Sequence, residues 1–69
     1  MGFRFAADKF KKVRKEKAYS RRLLAKFLGV APETVKLWEQ GKDTPTNTQI
    51  EEISRMFGYP IWWFFEFKK

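Results

Sequence analysis

Apolar residues recur every three or four positions along most of the chain, and this spacing predicts a series of short amphipathic helices. The first helix covers residues 7–17, with Phe10 and Val13 on its inner face. The second covers residues 21–28 and stops at Gly29, which readily adopts the positive φ of a helix C-terminus. This pattern is typical of a small helical protein.

Capping residues mark where these helices begin and end. Ser20 is a good N-cap for the second helix. Pro32 suits the first position of a third helix, because its missing N–H would have no partner there anyway. Val35 and Trp38 point into the core from this third helix, and Gly41 ends it. The turn between the second and third helices is therefore short.

The last third of the chain carries two further predicted helices. Thr46 and Gln49 form a Thr-x-x-Gln capping box at the start of the fourth helix, and Gly58 ends it. Its inner stripe consists of Ile50, Ile53 and Phe57. Pro60 opens a fifth, aromatic helix over residues 60–67.

No segment is interpreted as a β-strand, so the predicted fold is all-α. We expect a compact five-helix domain spanning residues 1–69, with residues 1–6 as an N-terminal arm. The chain contains neither cysteine nor histidine, which removes disulfides, the usual zinc sites and the common catalytic bases. Glu51 and Glu52 are adjacent on a helix, so their carboxylates diverge rather than pair. We therefore expect no enzyme activity, no cofactor and no metal site.

Charge is unevenly distributed along the chain, whose net charge is +7. Residues 1–26 hold ten Lys or Arg and two acids, giving +8, whereas residues 27–69 sum to −1. This asymmetry indicates a polyanionic partner, although a solvated basic first helix would give the same composition. The longest apolar run, residues 59–65, is too short to cross a bilayer, and no signal-peptide pattern is present. We expect a cytoplasmic protein.

The second and third helices carry a specific motif. Two short helices joined by a turn of about three or four residues with glycine are typical of a helix-turn-helix, although other helical bundles contain such corners. YSRRLLA at residues 19–25 and LGV at residues 28–30 resemble the LSQxxLA…LGV run of the Cro/cI-like (Xre) helix-turn-helix family. Val35 and WEQGK at residues 38–42 are similar to the same family's IxxWExGK.

This resemblance extends over residues 8–65. Pro45, Thr46 and the FGY of residues 57–59 are similar to the family's Pro-Ser and Leu-Gly-Val segments. The resemblance implies a lambda-repressor-like fold with the helix-turn-helix at residues 20–41. It also implies a phage or bacterial transcription regulator, repressor or antitoxin-like, that binds double-stranded DNA sequence-specifically.

In this family the third helix enters the major groove, and residues near its start read base edges. Matching positions imply that the base-reading residues are Arg21, Pro32, Glu33, Thr34, Lys36 and Leu37. Arg21 stands where the family usually has Gln, and an arginine there would contact a phosphate or reach guanine. The implied phosphate contacts are Ser20, Arg22, Gln40 and Lys42. Arg14 and Glu39 match an ion pair that links the first helix to the end of the third.

Some positions depart from the family pattern. Pro32 has no hydrogen-bonding side chain, and Leu37 offers only apolar contact, suited to a thymine methyl. Glu33 accepts from cytosine but repels phosphate. Ala31 replaces the usual hydroxyl N-cap, and Ala18 stands where glycine often ends the first helix. These departures leave open a second function, a protein-interaction module that keeps the fold and uses its aromatic end.

That aromatic end has more large rings than one helix face can bury. Ile61, Phe64 and Phe65 fall roughly on one side of a helix, and Trp62 and Trp63 point partly elsewhere. If all the rings are not core, the exposed ones mark a contact site. We expect a homodimer or partner interface formed by Trp62, Trp63 and Phe65. The ending also resembles regulators in which a further domain follows, which would make this chain one domain of a longer protein.

Overall fold

A computed structural model describes residues 2–68 of the chain. In order, the elements are β1 (Gly2–Phe5), α1 (Ala7–Glu16), α2 (Arg21–Leu28), α3 (Pro32–Glu39), α4 (Asn47–Phe57), a 3-10 helix (Ile61–Phe64) and β2 (Phe65–Lys68). The four α-helices confirm the first four predicted helices. Within the described residues, none of them is long and apolar enough to span a membrane.

The predicted caps fix the helix boundaries. The Ser20 hydroxyl accepts a hydrogen bond from the Leu23 N–H at 3.0 Å, which satisfies one of the free donors in the first turn of α2. Thr46 and Gln49 exchange side-chain and backbone hydrogen bonds across the first turn of α4, as a capping box does. Ala18, which follows α1, adopts a φ of 60°, a conformation that costs a non-glycine residue about 1 kcal/mol or more.

The fold is mostly helical, as predicted, but the fifth predicted helix is not confirmed and a short two-stranded sheet is present. After Pro60 the chain makes only the four-residue 3-10 helix, and at Phe65 the backbone becomes extended, with φ −117° and ψ 148°. It then runs antiparallel to Gly2–Phe5, the described part of the segment expected to be an arm. Met1 and Lys69 lie outside the described residues. Pairing with the N-terminal strand gives hydrogen-bond partners to backbone N–H and C=O groups that would lack them in an isolated helix of one or two turns.

The register of the two-stranded sheet explains its side-chain pattern. Phe3 pairs with Phe67, Arg4 with Glu66, and Phe5 with Phe65. Side chains alternate between the two faces of a sheet, so the four phenylalanines share one face and the Arg4–Glu66 ion pair lies on the other. The Arg4 Nε and Glu66 Oε2 atoms are 2.7 Å apart. The hairpin thus has one aromatic and one charged face.

The hydrophobic core lies between the four helices and the 3-10 helix. The largest fully buried side chains are Trp38, Phe10, Phe64, Leu24, Ile50, Ile53, Val13 and Val35. Phe10 is in aromatic contact with Phe5, Trp38 and Phe57. The Ala6 N–H donates to the Phe64 carbonyl at 2.7 Å, which ties the start of α1 to the 3-10 helix. Both ends of the described chain are therefore anchored to the same core.

Candidate nucleic-acid interface

Helices α2 and α3 pack closely across a three-residue turn. Gly29 ends α2 in the left-handed region at φ 71°. The Val30 N–H then donates to the Ala25 carbonyl at 3.0 Å, closing the C-terminus of the helix. Ala25 and Val35 are buried in the core between the two helices. A small residue at Ala25 allows the close crossing that a helix-turn-helix requires.

A buried carboxylate joins the two helices to α1. The Glu39 side chain is 1% exposed and bridges two arginines. Arg14 reaches it from α1 through Nε and Nη2, and also donates from Nη1 to the Tyr19 carbonyl at 2.7 Å. Arg21 donates from Nε to Glu39 Oε1 at 2.9 Å. Two cations and several hydrogen bonds offset the cost of burying this charge.

The expected Arg14–Glu39 pair is therefore present, and Arg21 is a partner that the sequence did not indicate. We expected Arg21 to point toward DNA, but in the structure its Nε is bound to Glu39 while the side chain remains 40% exposed. The guanidinium is thus held in place without being buried. This contact also brings the N-terminus of α2 to the C-terminal end of α3.

The other expected base-reading residues lie along the open side of α3. Pro32, Glu33 and Lys36 are exposed, whereas Thr34 and Leu37 are half-buried. Val35, Trp38 and Glu39 form the buried side of the same helix. Ala31 makes no side-chain cap, so the helix begins with Pro32 and uncapped N–H groups. The open side therefore presents one cation, one carboxylate, a hydroxyl and apolar surface.

The four expected phosphate contacts are all exposed: Ser20, Arg22, Gln40 and Lys42. The Arg21–Glu39 contact places Ser20 and Arg22, at the start of α2, at the same end of the motif as Gln40 and Lys42, which follow α3. The Ser20 hydroxyl oxygen accepts the Leu23 N–H to cap α2, so the donors left for a phosphate at this end are the Ser20 O–H and the free N–H groups of the helix N-terminus. The Lys42 N–H closes the end of α3 by donating to the Leu37 carbonyl at 3.0 Å.

The three residues expected at a dimer or partner interface have different environments. Trp62 is 69% exposed. Trp63 is half-buried: its ring stacks on Tyr59 with centroids 4.4 Å apart, and the Lys9 ammonium lies 5.0 Å from the ring centroid. Phe65 is half-buried against the core. Two exposed rings that the sequence did not single out, Phe3 and Phe67, lie in the hairpin.

Within residues 2–68, no cluster of three or more metal-ligating side chains is present. The short helices α2 and α3, packed closely across the three-residue turn after Gly29, form a helix-turn-helix, and both helices carry exposed cations.

Comparison with known families agrees with this class. A family model described as helix-turn-helix matches residues 10–64, most of the chain. The chain therefore belongs to the Cro/cI-like (Xre) helix-turn-helix family. A comparison with curated proteins gave no match.

Several solved structures share the fold. The P22 c2 repressor, solved in complex with a synthetic operator, superposes with a TM-score of 0.79, covering 88% of this chain and 92% of the repressor chain. The identity is 16%, so this match concerns the fold alone. It supports the corrected architecture of a helix-turn-helix domain similar to a phage repressor domain.

Epoxidase structures form a second group of similar proteins. Fe(II)-HppE with an alternative substrate matches at 31% identity and a TM-score of 0.75, over 88% of this chain and 33% of its own. The hydroxypropylphosphonic acid epoxidase from S. wedmorenis matches at 36% identity and a TM-score of 0.72, over 80% of this chain and 29% of its own. The chain thus spans about a third of the length of these epoxidases.

Proposed function

We propose that this chain binds double-stranded DNA as the reading module of a repressor-type transcription regulator, with α3 in the major groove. The observation that carries the proposal is the open side of α3, whose C-terminal end meets the N-terminus of α2 through the Arg21–Glu39 contact and continues into the Lys42 turn. An eight-residue helix is about 12 Å long, and the major groove admits a helix of ordinary diameter. Family membership and the fold shared with an operator-bound repressor support the same function.

The proposed contacts fall into two groups. Lys36, Thr34 and Leu37 face base edges, with the Leu37 side chain suited to a thymine methyl and Lys36 to guanine. Arg21 belongs to the same group: its Nε is held by Glu39, and its Nη groups are the donors toward guanine. Arg22, Gln40 and Lys42, with the N-terminus of α2 at Ser20, contact phosphates. Pro32 and Glu33 lie at the end of α3 that enters the groove, and Glu33 favours cytosine there. This proposal assigns no catalytic step and no cofactor to the chain, and it implies a cytoplasmic or nucleoid location.

The first prediction concerns salt. Titration of the chain against a pool of random-sequence duplexes of about 30 base pairs should show binding at about 50 mM salt that weakens steeply at higher salt. Each neutralised phosphate should contribute about −0.9 to the slope of log K against log salt, because condensed counterions are released. Fluorescence anisotropy measures both the affinity and the slope. Absence of binding to the pool at about 50 mM salt would exclude DNA binding.

The second prediction separates phosphate contacts from base contacts. Lys42→Ala should weaken binding to all sequences about equally and reduce the salt slope by roughly one unit. Arg21→Ala should cost about 1–3 kcal/mol on a selected site and relax the preference at one base pair, as expected for a guanine contact. Binding of each variant is measured on the selected site and on the random pool.

Arg55→Ala is the matched control, because Arg55 is an exposed arginine on α4, outside the motif. It should change neither the preference nor the slope by as much as Lys42→Ala does. A uniform loss for Arg21→Ala would assign Arg21 to a phosphate instead of a base. Equal losses for all three variants would mean that binding depends on net charge rather than on the motif.

Exposed aromatic residues favour a second candidate function. Trp62 is mostly exposed although Phe64, two residues along the chain, is fully buried, and proteins 31–36% identical to this chain carry its fold within chains about three times longer. A helix-turn-helix domain that serves as a protein-interaction module would account for both observations. If the chain binds a protein partner but shows no binding to DNA, it is an interaction module and not a regulator.

A further inference from the structure

The side of α2 that faces away from the core carries two parallel rows of exposed side chains. Leu23, 39% exposed, and Phe27, 62% exposed, form an apolar row. Arg22 and Lys26, both exposed, form a cationic row. The two members of each row are one helical turn apart, and at about 100° of rotation per residue the rows lie about 100° apart around the helix axis. We call these four residues the α2 outer face.

Neither the core nor the proposed DNA contact accounts for the apolar row. The buried side of α2 consists of Leu24, Ala25 and Leu28, which complete its packing. Phosphates at the start of α2 require hydrogen-bond donors, and the side chains of Leu23 and Phe27 have none. Adjacent exposed apolar side chains with a polar rim mark a site of protein or membrane contact.

The cationic row determines the charge of the partner. α2 contains three cations and no acid, and among the described residues no carboxylate forms an ion pair with Arg22 or Lys26. Arg22 is in the first turn, where the positive end of the helix dipole disfavours a cation. Carboxylates opposite this row therefore gain two unpaired cations. A second copy of α2 would bring like charges together, so the partner is a different, acidic molecule.

The two rows also favour a helical partner. Rows of side chains four residues apart are the ridges of a helix surface, and a groove runs between neighbouring ridges. An apolar ridge of a second helix fits this groove, with its own acids placed beside the cations. A lipid bilayer fits less well, because the inner side of α2 is packed on the core and cannot enter the membrane.

We propose that the α2 outer face binds an acidic amphipathic helix of another protein, and that this binding excludes DNA. The exclusion rests on the proposed function, since Arg22 is one of the proposed phosphate contacts. Carboxylates bound at Arg22 and Lys26 occupy that contact and repel the DNA backbone. The eight residues of α2 offer only a small contact, of the size seen in transient complexes, so we expect a dissociation constant of roughly 10–300 µM.

Fluorescence anisotropy of a labelled, designed peptide tests the binding without DNA. The peptide has about 18 residues, long enough to form a helix, with leucines along one stripe and glutamates along the neighbouring stripe. A peptide of the same composition in scrambled order keeps the charge and loses the stripes, and it should bind at least about tenfold more weakly at about 0.15 M salt. Equal binding of both peptides, or no binding of the designed peptide at about 1 mM, overturns the inference.

Variants locate the peptide on α2. Phe27→Ser and Lys26→Gln should each raise the dissociation constant of the designed peptide at least about fivefold. Phe3→Ser and Lys12→Gln are the matched controls, because they remove an exposed ring from β1 and an exposed cation from α1, and they should leave it unchanged. Circular dichroism confirms that helix content is retained. Equal weakening by the controls overturns the inference, as does flotation with phosphatidylglycerol vesicles of a chain that does not bind the peptide.

Competition with DNA tests the exclusion. The designed peptide at saturation should raise the apparent dissociation constant of the random duplex pool at least about tenfold, whereas the scrambled peptide at the same concentration should not. Phe27→Ser should bind the duplex pool as the unsubstituted chain does and should resist the designed peptide. Duplex binding that is unaffected by bound peptide overturns the exclusion. Failure of the proposed function is distinguishable, because duplex binding is then absent without peptide while the peptide still binds α2.

Discussion

Replacing Arg14 by alanine is expected to lower the free energy of unfolding by about 3–5 kcal/mol, because the variant leaves the Glu39 carboxylate buried without its main partner. The Glu39 side chain is 1% exposed and the Arg14 side chain 10%, so water cannot replace the lost guanidinium without opening the core. The Tyr19 carbonyl loses its donor as well. For a chain of this length the total stability is about 3–10 kcal/mol, so much of it depends on this single side chain.

Thermal denaturation followed by circular dichroism measures this effect. The melting temperature of Arg14→Ala should fall by at least about 12 °C. Lys15→Ala, which removes an exposed cation from the same helix, should change the stability by no more than about 0.5 kcal/mol. Arg21→Ala should cost about 1 kcal/mol or less, since its ion pair with Glu39 is partly solvated. Equal melting temperatures for Arg14→Ala and Lys15→Ala would contradict a structural role for the buried pair.

A double variant separates charge from packing. Combining Arg14→Met with Glu39→Leu removes both buried charges and keeps apolar volume, which is often neutral or stabilising relative to the ion pair. Arg21 then turns toward water, to which 40% of its side chain is already open. We expect the double variant to recover most of the stability lost in Arg14→Ala. If it melts as low as Arg14→Ala, the unpaired charge is not the cause of the loss, and the lost hydrogen bond from Arg14 to the Tyr19 carbonyl is the remaining explanation.

The helices were predictable because their signals are local. Ser20, Gly29, Thr46 with Gln49, and Gly58 each act within one turn of a helix end, and all five have the predicted conformations or hydrogen bonds. The inner stripe of each helix requires only regular spacing, which the sequence displays directly. The family resemblance also predicted that α2 packs closely on α3.

The hairpin was missed because its signal is both short and non-local. Phe-Arg-Phe at residues 3–5 and Phe-Glu-Phe at residues 65–67 do alternate with period two, and the register puts Arg4 opposite Glu66. Three residues are too few to distinguish a strand from a helix. The pairing partner is 62 residues away along the chain, so only the two segments considered together would have indicated a strand pair.

The family resemblance predicted the exposed residues of α3 and one of the two ion pairs of Glu39, but not the contact of Arg21 with Glu39. The family pattern indicated which α3 residues are exposed, and Pro32, Glu33 and Lys36 are indeed exposed. It also gave the Arg14–Glu39 pair, but it placed Arg21 only by analogy with a glutamine. A longer, charged side chain at that position reaches back to Glu39, and side-chain reach of this kind depends on the packing of three helices.

Replacing Phe64 by alanine is expected to destabilise the protein by about 3–5 kcal/mol, which is the cost of deleting a large ring from a well-packed core. Phe64 is fully buried and is in aromatic contact with Phe57, Tyr59 and Trp63. Its backbone carbonyl accepts from the Ala6 N–H, and the substitution retains that acceptor. The stability lost in Phe64→Ala therefore measures the contribution of the ring, and not that of the hydrogen bond between Ala6 and the Phe64 carbonyl.

Phe67→Ala, three residues along the chain, is the matched comparison for Phe64→Ala. Phe67 is 55% exposed, and its described ring contact is the edge-to-face pair with Phe3, so its removal should cost only about 0.5–1.5 kcal/mol in the monomer. Urea denaturation at low protein concentration avoids any contribution from association. Phe64→Leu should lie between the two, because leucine refills part of the cavity. If Phe64→Ala were as stable as Phe67→Ala, the 3-10 helix would not be docked on the core, and the division of the aromatic end into a buried ring and an exposed face would be wrong.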